Sequence, residues 1–311
     1  MSEEREKSGD HHAAGVWYAV IAYVAWGILP TYWKALQRVP AGEILAHRIV
    51  WSCVFVFGML WVLGGLGKVK AVLAHRQQRW GVLWSSLLIS VNWFVYIWAV
   101  NGGHIVQASL GYYINPLFTV LLGLVVLRER IDIWQVAALL LAAAGVAVLT
   151  VEYGRIPWIA LTLAISFGFY GLAKKLVNVE AMTGLALETA FVTPAALGYI
   201  IFLQASGRGS LGTGSPLTTV MLVAAGVVTA LPLLWFGEAA KRIPLATVGF
   251  IQYLSPSISL LLGVFLYKEP FTRVHLISFS LIWCALVLYS LTRVASINLI
   301  KVARLHDGET S

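Results

Sequence analysis

The feature that most limits this chain is an internal repeat. The stretch 109–129, SLGYYINPLFTVLLGLVVLRE, returns 140 positions later as GFIQYLSPSISLLLGVFLYKE over 249–269. Without any gap, Tyr113 falls on Tyr253, Pro116 on Pro256, Leu121-Leu122-Gly123 on Leu261-Leu262-Gly263 and Glu129 on Glu269. Arg128 falls on Lys268, so even the cation before the acid is kept. Further upstream, Trp17, Ala19, Gly27 and Lys34 align with Trp158, Ala160, Gly168 and Lys175 at an offset of 141. A repeat of this length is one structural unit written twice.

Composition says where such a unit lives. The 311 residues are 59% hydrophobic and 12% charged, with mean hydropathy +0.81. A soluble domain carries about a quarter charged residues, so most of this surface must face lipid or other apolar helices. The net charge of +8 does not point to nucleic acid, because the cations lie in short loops between apolar runs and not on one face. Cys53 and Cys284 lie inside apolar runs and give neither a disulfide framework nor a metal-ligand spacing. The polar N-terminus runs into no short apolar region with a cleavage site, so no signal peptide is expected.

A spanning helix needs about 20 apolar residues. Ten segments qualify: 15–32, 44–63, 81–100, 105–127, 131–151, 156–173, 185–203, 217–236, 245–267 and 274–291. Helix is the expected form, since open strand edges are not tolerated in hydrocarbon and no period-2 barrel pattern appears. The fold class predicted is therefore all-α integral membrane, with ten transmembrane helices as two five-helix repeats. The expected division is a cytoplasmic tail 1–14, a first repeat 15–151, a second repeat 156–291 and a cytoplasmic tail 292–311. With the N-terminus inside, the outer segments hold only Lys34, Arg38, Arg155, Arg208, Lys268 and Arg273. The other loop cations, Lys174 and Lys175 among them, are then inside, which places both termini in the cytoplasm. Five spans per unit is odd, so the second copy enters from the opposite side. Inverted repeats of this kind are related by a pseudo-twofold axis in the membrane plane and have two near-equal shapes, one open to each side, which is a route to alternating access.

Ionisable groups within spans mark function by default. Glu43, His47 and Arg48 form one cluster at the outer end of the second span, with His47 one helical turn from Glu43 and Arg48 about 6–8 Å in from the mouth. Arg48 is read either as an interfacial arginine partnered by Glu43 or as a cation that grips an anionic solute or locks a gate. His47 is read as a helix hydrogen-bonding residue or as a group titrating near neutral pH. Glu188, in the seventh span, falls on His47 at offset 141 and has no cation close by in sequence. It is read as an interfacial glutamate or as a coupling site. Glu238 has Lys241 and Arg242 within a turn and reads as a surface ion pair.

A third group is aromatic and amide: Trp26, Trp93, Tyr96, Trp98, Tyr112, Tyr113, Tyr170, Trp235 and Tyr253, with Asn92, Asn101, Gln107, Asn115 and Gln252. Pockets for small organic solutes join apolar walls to a few placed polar groups, and amides in a membrane need partners. Pro116 and Pro256 each break a backbone bond one turn earlier, near Tyr112 and Gln252. No HExxH, GxSxG or Walker sequence is present, so no cofactor, metal or nucleotide is expected.

EILAHRIVWS (43–52), NWFVYIWAVN (92–101) and ASLGYYINPL (108–117), followed by Arg128-Glu129-Arg130, resemble the RarD branch of the EamA family in the drug/metabolite transporter superfamily. The resemblance covers about 15–291. It implies a ten-helix transporter of the bacterial inner membrane that moves small metabolites. It also implies a central cavity touching Trp26, Asn92, Tyr96, Tyr112, Tyr170 and Gln252. The expected partners are a small-molecule solute and the lipid bilayer, with no nucleic acid. Two rival readings stay open at this level: a membrane-embedded enzyme on lipid, for which Glu43 with His47 is the candidate pair, and a non-transporting receptor.

Overall fold

The computed structural model describes the backbone of residues 2–101, 105–154, 158–213, 215–266 and 272–308. Within these stretches the side chains of 2–10, 97, 100–101, 105–109, 153, 263 and 292–308 are not described. Of the sequence expectations, Asn101, Gln107, Arg155, Lys268 and Glu269 therefore lie outside the described side chains.

The described residues are helical, with no strand. In chain order the helices are α1 (Ser2–Ala35), α2 (Ala41–Val62), α3 (Leu66–Ala74), α4 (Arg76–Asn101), α5 (Ile105–Val125), α6 (Ile133–Tyr153), α7 (Trp158–Leu176), α8 (Ala181–Ala205), α9 (Pro216–Arg242), α10 (Leu245–Gln252), α11 (Leu254–Leu261) and α12 (Arg273–Gly308). A π-helical turn, Leu262–Leu266, extends α11. Eight helical stretches are long and apolar enough to cross a membrane: those on α1, α2, α6, α7, α8 and α9, the combined α10–α11 stretch, and α12. The α4 run is diluted by Arg76, Gln77, Gln78, Arg79 and Asn92, and the apolar part of α5 is the shorter Leu110–Val125.

One expectation is revised. The ninth span is not one helix: it breaks at Tyr253, three residues before Pro256, which offers no N–H to the carbonyl of Gln252. Its repeat counterpart α5 passes Pro116 without a break. Helix continues beyond the expected span limits at both ends of the chain, since α1 starts at Ser2 and α12 runs on to Gly308.

Contacts between distant parts of the chain sort the helix ends into two groups. Where α1 enters the bundle, Gly15 packs on Arg242 and Ile243, Lys68 pairs with Glu180 at 2.6 Å, and Gln78 donates to the Asn178 carbonyl at 2.8 Å. This is the proximal end. At the distal end, Leu36, Val39 and Leu222 form a small core and Glu43 meets Ser210.

Helix pairing follows the repeat. α2 packs on α8 through Ala46, Ile49, Ala196 and Ile200, and α6 packs on α12 through Ala138, Ala142, Ile282 and Ala285. α1 packs on α9 as α7 packs on α4, and α5 packs on α7 as the α10–α11 pair packs on α1. Exchanging the halves thus maps these pairings onto one another. Small residues at the contacts let backbones approach, as expected without a hydrophobic drive between helices in lipid. The tightest case is Gly226, where a Cβ would sit 2.3 Å from the Trp51 backbone carbon, and where Ser52 Oγ donates to the Gly226 carbonyl at 2.8 Å.

The α9–α10 corner at Ile243-Pro244 is held from both sides. Lys175 Nζ donates to the carbonyls of Ala240 (3.2 Å) and Ile243 (2.6 Å), where the α9 dipole is negative. Glu129 accepts from the N–H groups of Leu245 (2.7 Å) and Ala246 (2.8 Å) at the start of α10, where the dipole is positive. Arg128, with a left-handed φ of 54°, turns the chain towards α10, and Gly123 leaves room for the carboxylate, which would lie 2.6 Å from a Cβ there.

Candidate functional site

Two charged clusters lie inside the bundle, one in each half. The distal one is built on Arg48. Its Nε donates to Thr229 Oγ1 of α9 at 3.0 Å. Its guanidinium carbon sits 4.6 Å from the ring centre of Trp33 on α1 and 5.3 Å from that of Trp93 on α4. Tyr96 and Tyr112, a T-shaped pair at 5.8 Å, stand beside it. Four helices thus give the cation aromatic faces and hydroxyls. Among the described residues no carboxylate lies within ion-pair distance of Arg48. The expectation that Glu43 would be its partner is corrected: both Glu43 oxygens accept from Ser210, one from its backbone N–H and one from its hydroxyl. The α8–α9 loop is thereby pinned over the distal mouth.

His47 is buried beside Glu43. Its Nδ1 accepts from Trp51 Nε1 at 3.2 Å, and its Nε2 stands 3.9 Å from Glu43 Oε1 with no hydrogen-bond partner among the described residues. An acceptor at Nδ1 assigns the proton of a neutral ring to Nε2.

The proximal cluster is built on Glu188, which is 3% exposed. Lys174 Nζ reaches both oxygens, at 2.9 and 3.0 Å. Tyr170 donates to Oε2 at 3.1 Å and Ser85 donates to Oε1. Ser86 of the same helix donates to the Glu188 carbonyl at 2.9 Å. The carboxylate therefore joins α4 of the first half to α7 and α8 of the second. One sequence expectation changes here. Glu188, which has no cation close by in sequence, meets one in space, and Lys174 is not a loop cation: it lies within α7 at 6% exposure. Spacing hid the pair, because 14 residues and a helix turn separate the partners. Ser85 and Thr229 gave no signal as hydroxyl residues within apolar runs. Glu238 behaves as expected, pairing with Arg242 at 2.7 Å.

Between the clusters lies a small enclosed cavity with room for about one water molecule. Ile49, Ile89, Ser90 and Trp93 line it from the first half, and Tyr170, Leu185, Glu188, Thr189, Val192 and Leu233 from the second. Trp93 belongs to both features, bordering the cavity and carrying Arg48. A wider, shallow hollow at Ala74, His75, Arg76, Gln77 and Trp80 sits at the α3–α4 corner and holds none of these groups.

The remaining candidates are placed as follows. Tyr170 stacks on Phe236 at 5.9 Å and joins Trp26 through Phe167, so both belong to an aromatic core beside Glu188. Asn92 Nδ2 donates to the Leu163 carbonyl (2.9 Å) and to Ser166 (3.0 Å), tying α4 to α7. Gln252 Oε1 accepts from Thr119 Oγ1 at 3.3 Å, tying α5 to α10. Asn115 is 5% exposed, and its Oδ1 has no partner among the described residues. The structure thus brings Arg48, Tyr96 and Tyr112 together, and separately Tyr170 and Glu188. Asn92 and Gln252 serve as bridges between helices.

A doubled helical unit with apolar outer faces and internal charged groups defines a multi-pass membrane transporter. The chain belongs to the EamA-like transporter family, whose profile matches residues 13–151 and again 155–291. It is 48% identical over 286 residues to the uncharacterized transporter YojE of Bacillus subtilis, covering 90% of this chain and 94% of that one. It is 41% identical over 275 residues to protein RarD of Escherichia coli, covering 88% and 93%. A solved structure described only as a crystal structure of a protein superposes with a TM-score of 0.69 over 90% of this chain at 21% identity, which bears on the fold alone. The resemblance to the RarD branch is thereby established, and with it a transporter and not an enzyme.

Proposed function

We propose that the protein is a secondary transporter or facilitator that moves a small organic solute across the bacterial inner membrane by alternating access. In this reading α1, α2, α4, α5, α6, α7, α8, α9, the α10–α11 pair and α12 make ten crossings, as two inverted repeats with both termini in the cytoplasm. The exchange of helix pairings between the halves supports the inversion.

The observation that carries the proposal is the cavity between the Arg48 cage and Glu188, walled by both halves. A carrier that rocks one half against the other opens such a junction to one side at a time. Arg48 binds solute or gates. Tyr96, Tyr112 and Asn115 are assigned to the pathway from the distal half. Trp26, Asn92, Tyr170 and Gln252 form or brace its walls. Glu188 is the coupling residue, since protonation releases Lys174 and loosens the joint between α4, α7 and α8. His47, at the repeat-related position, is its distal counterpart.

Purified protein in liposomes, screened with labelled amino acids and drug-like amphiphiles with and without a proton gradient, tests this. Arg48→Ala should abolish flux while membrane insertion stays normal; full flux in that variant removes its role. Glu188→Gln should flatten the pH dependence of flux, and a steep dependence surviving in it would exclude coupling at this site. A lipid-modifying enzyme at Glu43 and His47 is disfavoured, because both side chains are 1% exposed and Ser210 occupies both Glu43 oxygens.

A further inference from the structure

We infer that the site at Arg48 selects a monoanionic organic solute: a carboxylate on an apolar body, not an amine and not an amino-acid zwitterion. The inference rests on the transporter reading and narrows its substrate class.

The charges around the central cavity do not balance. Glu188 is compensated by Lys174, which reaches both of its oxygens. Ser85 and Tyr170 take further acceptor positions on the same two atoms. That carboxylate has no position left for an ammonium group unless Lys174 leaves. Glu43 is spent at the distal mouth, with both oxygens on Ser210. Arg48 is different. Its guanidinium lies against two indole faces and beside the Tyr96–Tyr112 pair, and among the described residues only its Nε has a hydrogen-bond acceptor, Thr229 Oγ1. Stacking and a single hydroxyl do not neutralise a guanidinium. In surroundings of low dielectric, an unpaired cation draws in an anion and repels another cation. The planar fork of donors suits a carboxylate held by two bonds.

The walls add the second half of the specification. Beyond Trp93 the cavity is bordered by Ile49, Ile89, Leu185, Val192 and Leu233. A solute whose head group meets Arg48 would lay its remaining atoms on these side chains when the junction widens, so an apolar body is favoured over a polar one.

The test uses purified full-length protein in lipid nanodiscs and three probes that share one ring: benzoate, benzylamine and phenylalanine. Hexanoate is added as a carboxylate without a ring. Binding is read from tryptophan fluorescence, since Trp33 and Trp93 flank Arg48, and from the shift in unfolding temperature. The expected result is saturable binding of benzoate or hexanoate, with benzylamine and phenylalanine at least tenfold weaker. Arg48→Gln should lose at least tenfold of the carboxylate affinity, while Arg48→Lys, which keeps the charge, should lose less. Preference for benzylamine, equal binding of phenylalanine and benzoate, no binding of either carboxylate, or an Arg48→Gln protein that binds them unchanged would each overturn the inference. Liposome counterflow separates the two levels. Carboxylate binding without flux keeps the anion site and removes the carrier, whereas flux of an amine does the reverse.

Discussion

At the scale of single residues, the proximal half is organised by one buried ion pair. Charges taken out of water are costly, and an ion pair holds its place there only when its partners are complete. Lys174, Tyr170 and Ser85 complete Glu188. Removing one member strands the other. Lys174→Met should therefore destabilise the protein by about 3–5 kcal/mol, read as a fall in unfolding temperature in detergent. The double variant Lys174→Met with Glu188→Met should recover most of that loss, because no buried charge remains. An equal loss in single and double variants would show that the pair matters for its shape and not for its charge. Arg48 is held by other means, through indole faces that attract a cation and still leave donors for a ligand.

At the scale of helices, the distal half closes where α2 meets α9. Gly226 lies under Trp51 and Ser52, and a methyl group there has no space. Gly226→Ala should force α2 and α9 apart, break the Ser52 bond to the Gly226 carbonyl and lower the unfolding temperature. The cost expected is about 1–3 kcal/mol, as for an overpacked contact. Gly58 on the same α2 has nothing within 4 Å of its Cβ position, so Gly58→Ala is the control and should be neutral or slightly stabilising. A neutral Gly226→Ala would mean that the two helices slide freely there. The split of α10 from α11 is a different kind of feature. It follows from Pro256, yet Pro116 at the matching place leaves α5 whole. The same proline thus acts differently in two neighbourhoods, which a sequence comparison alone does not reveal.

At the scale of the whole molecule, the doubled architecture was legible because an apolar chain shows its repeat openly. Tyr113 on Tyr253 and Glu129 on Glu269 fix the register without a gap. The internal position of Arg48 was legible too, since a cation within an apolar run stands out. What surrounds these residues was not. Lys174 sits near the end of α7, where a lysine reads as a marker of the inner surface, and its burial depends on how α8 returns past it. The role of Glu129 at the start of α10 depends on a corner 116 residues away in sequence. Long-range closure of this kind leaves no local pattern. The proposed inversion has a direct check: a topology reporter inserted after Gly154 should read the face opposite to one placed at the N-terminus. Both reporters on one face would remove the inversion and the alternating-access reading with it.

The ion pair has no twin in the other half. The positions that answer to Lys174 and Glu188 in the first copy are Trp33 and His47, an indole and an imidazole that cannot reproduce a lysine–carboxylate bond. In the proposed alternating-access cycle, two shapes that duplication alone would make equal in energy would then be unequal. In the proposed exchange of shapes, the one closed at the proximal end would be the resting one, since only there does an ion pair help to tie α4 to α7 and α8.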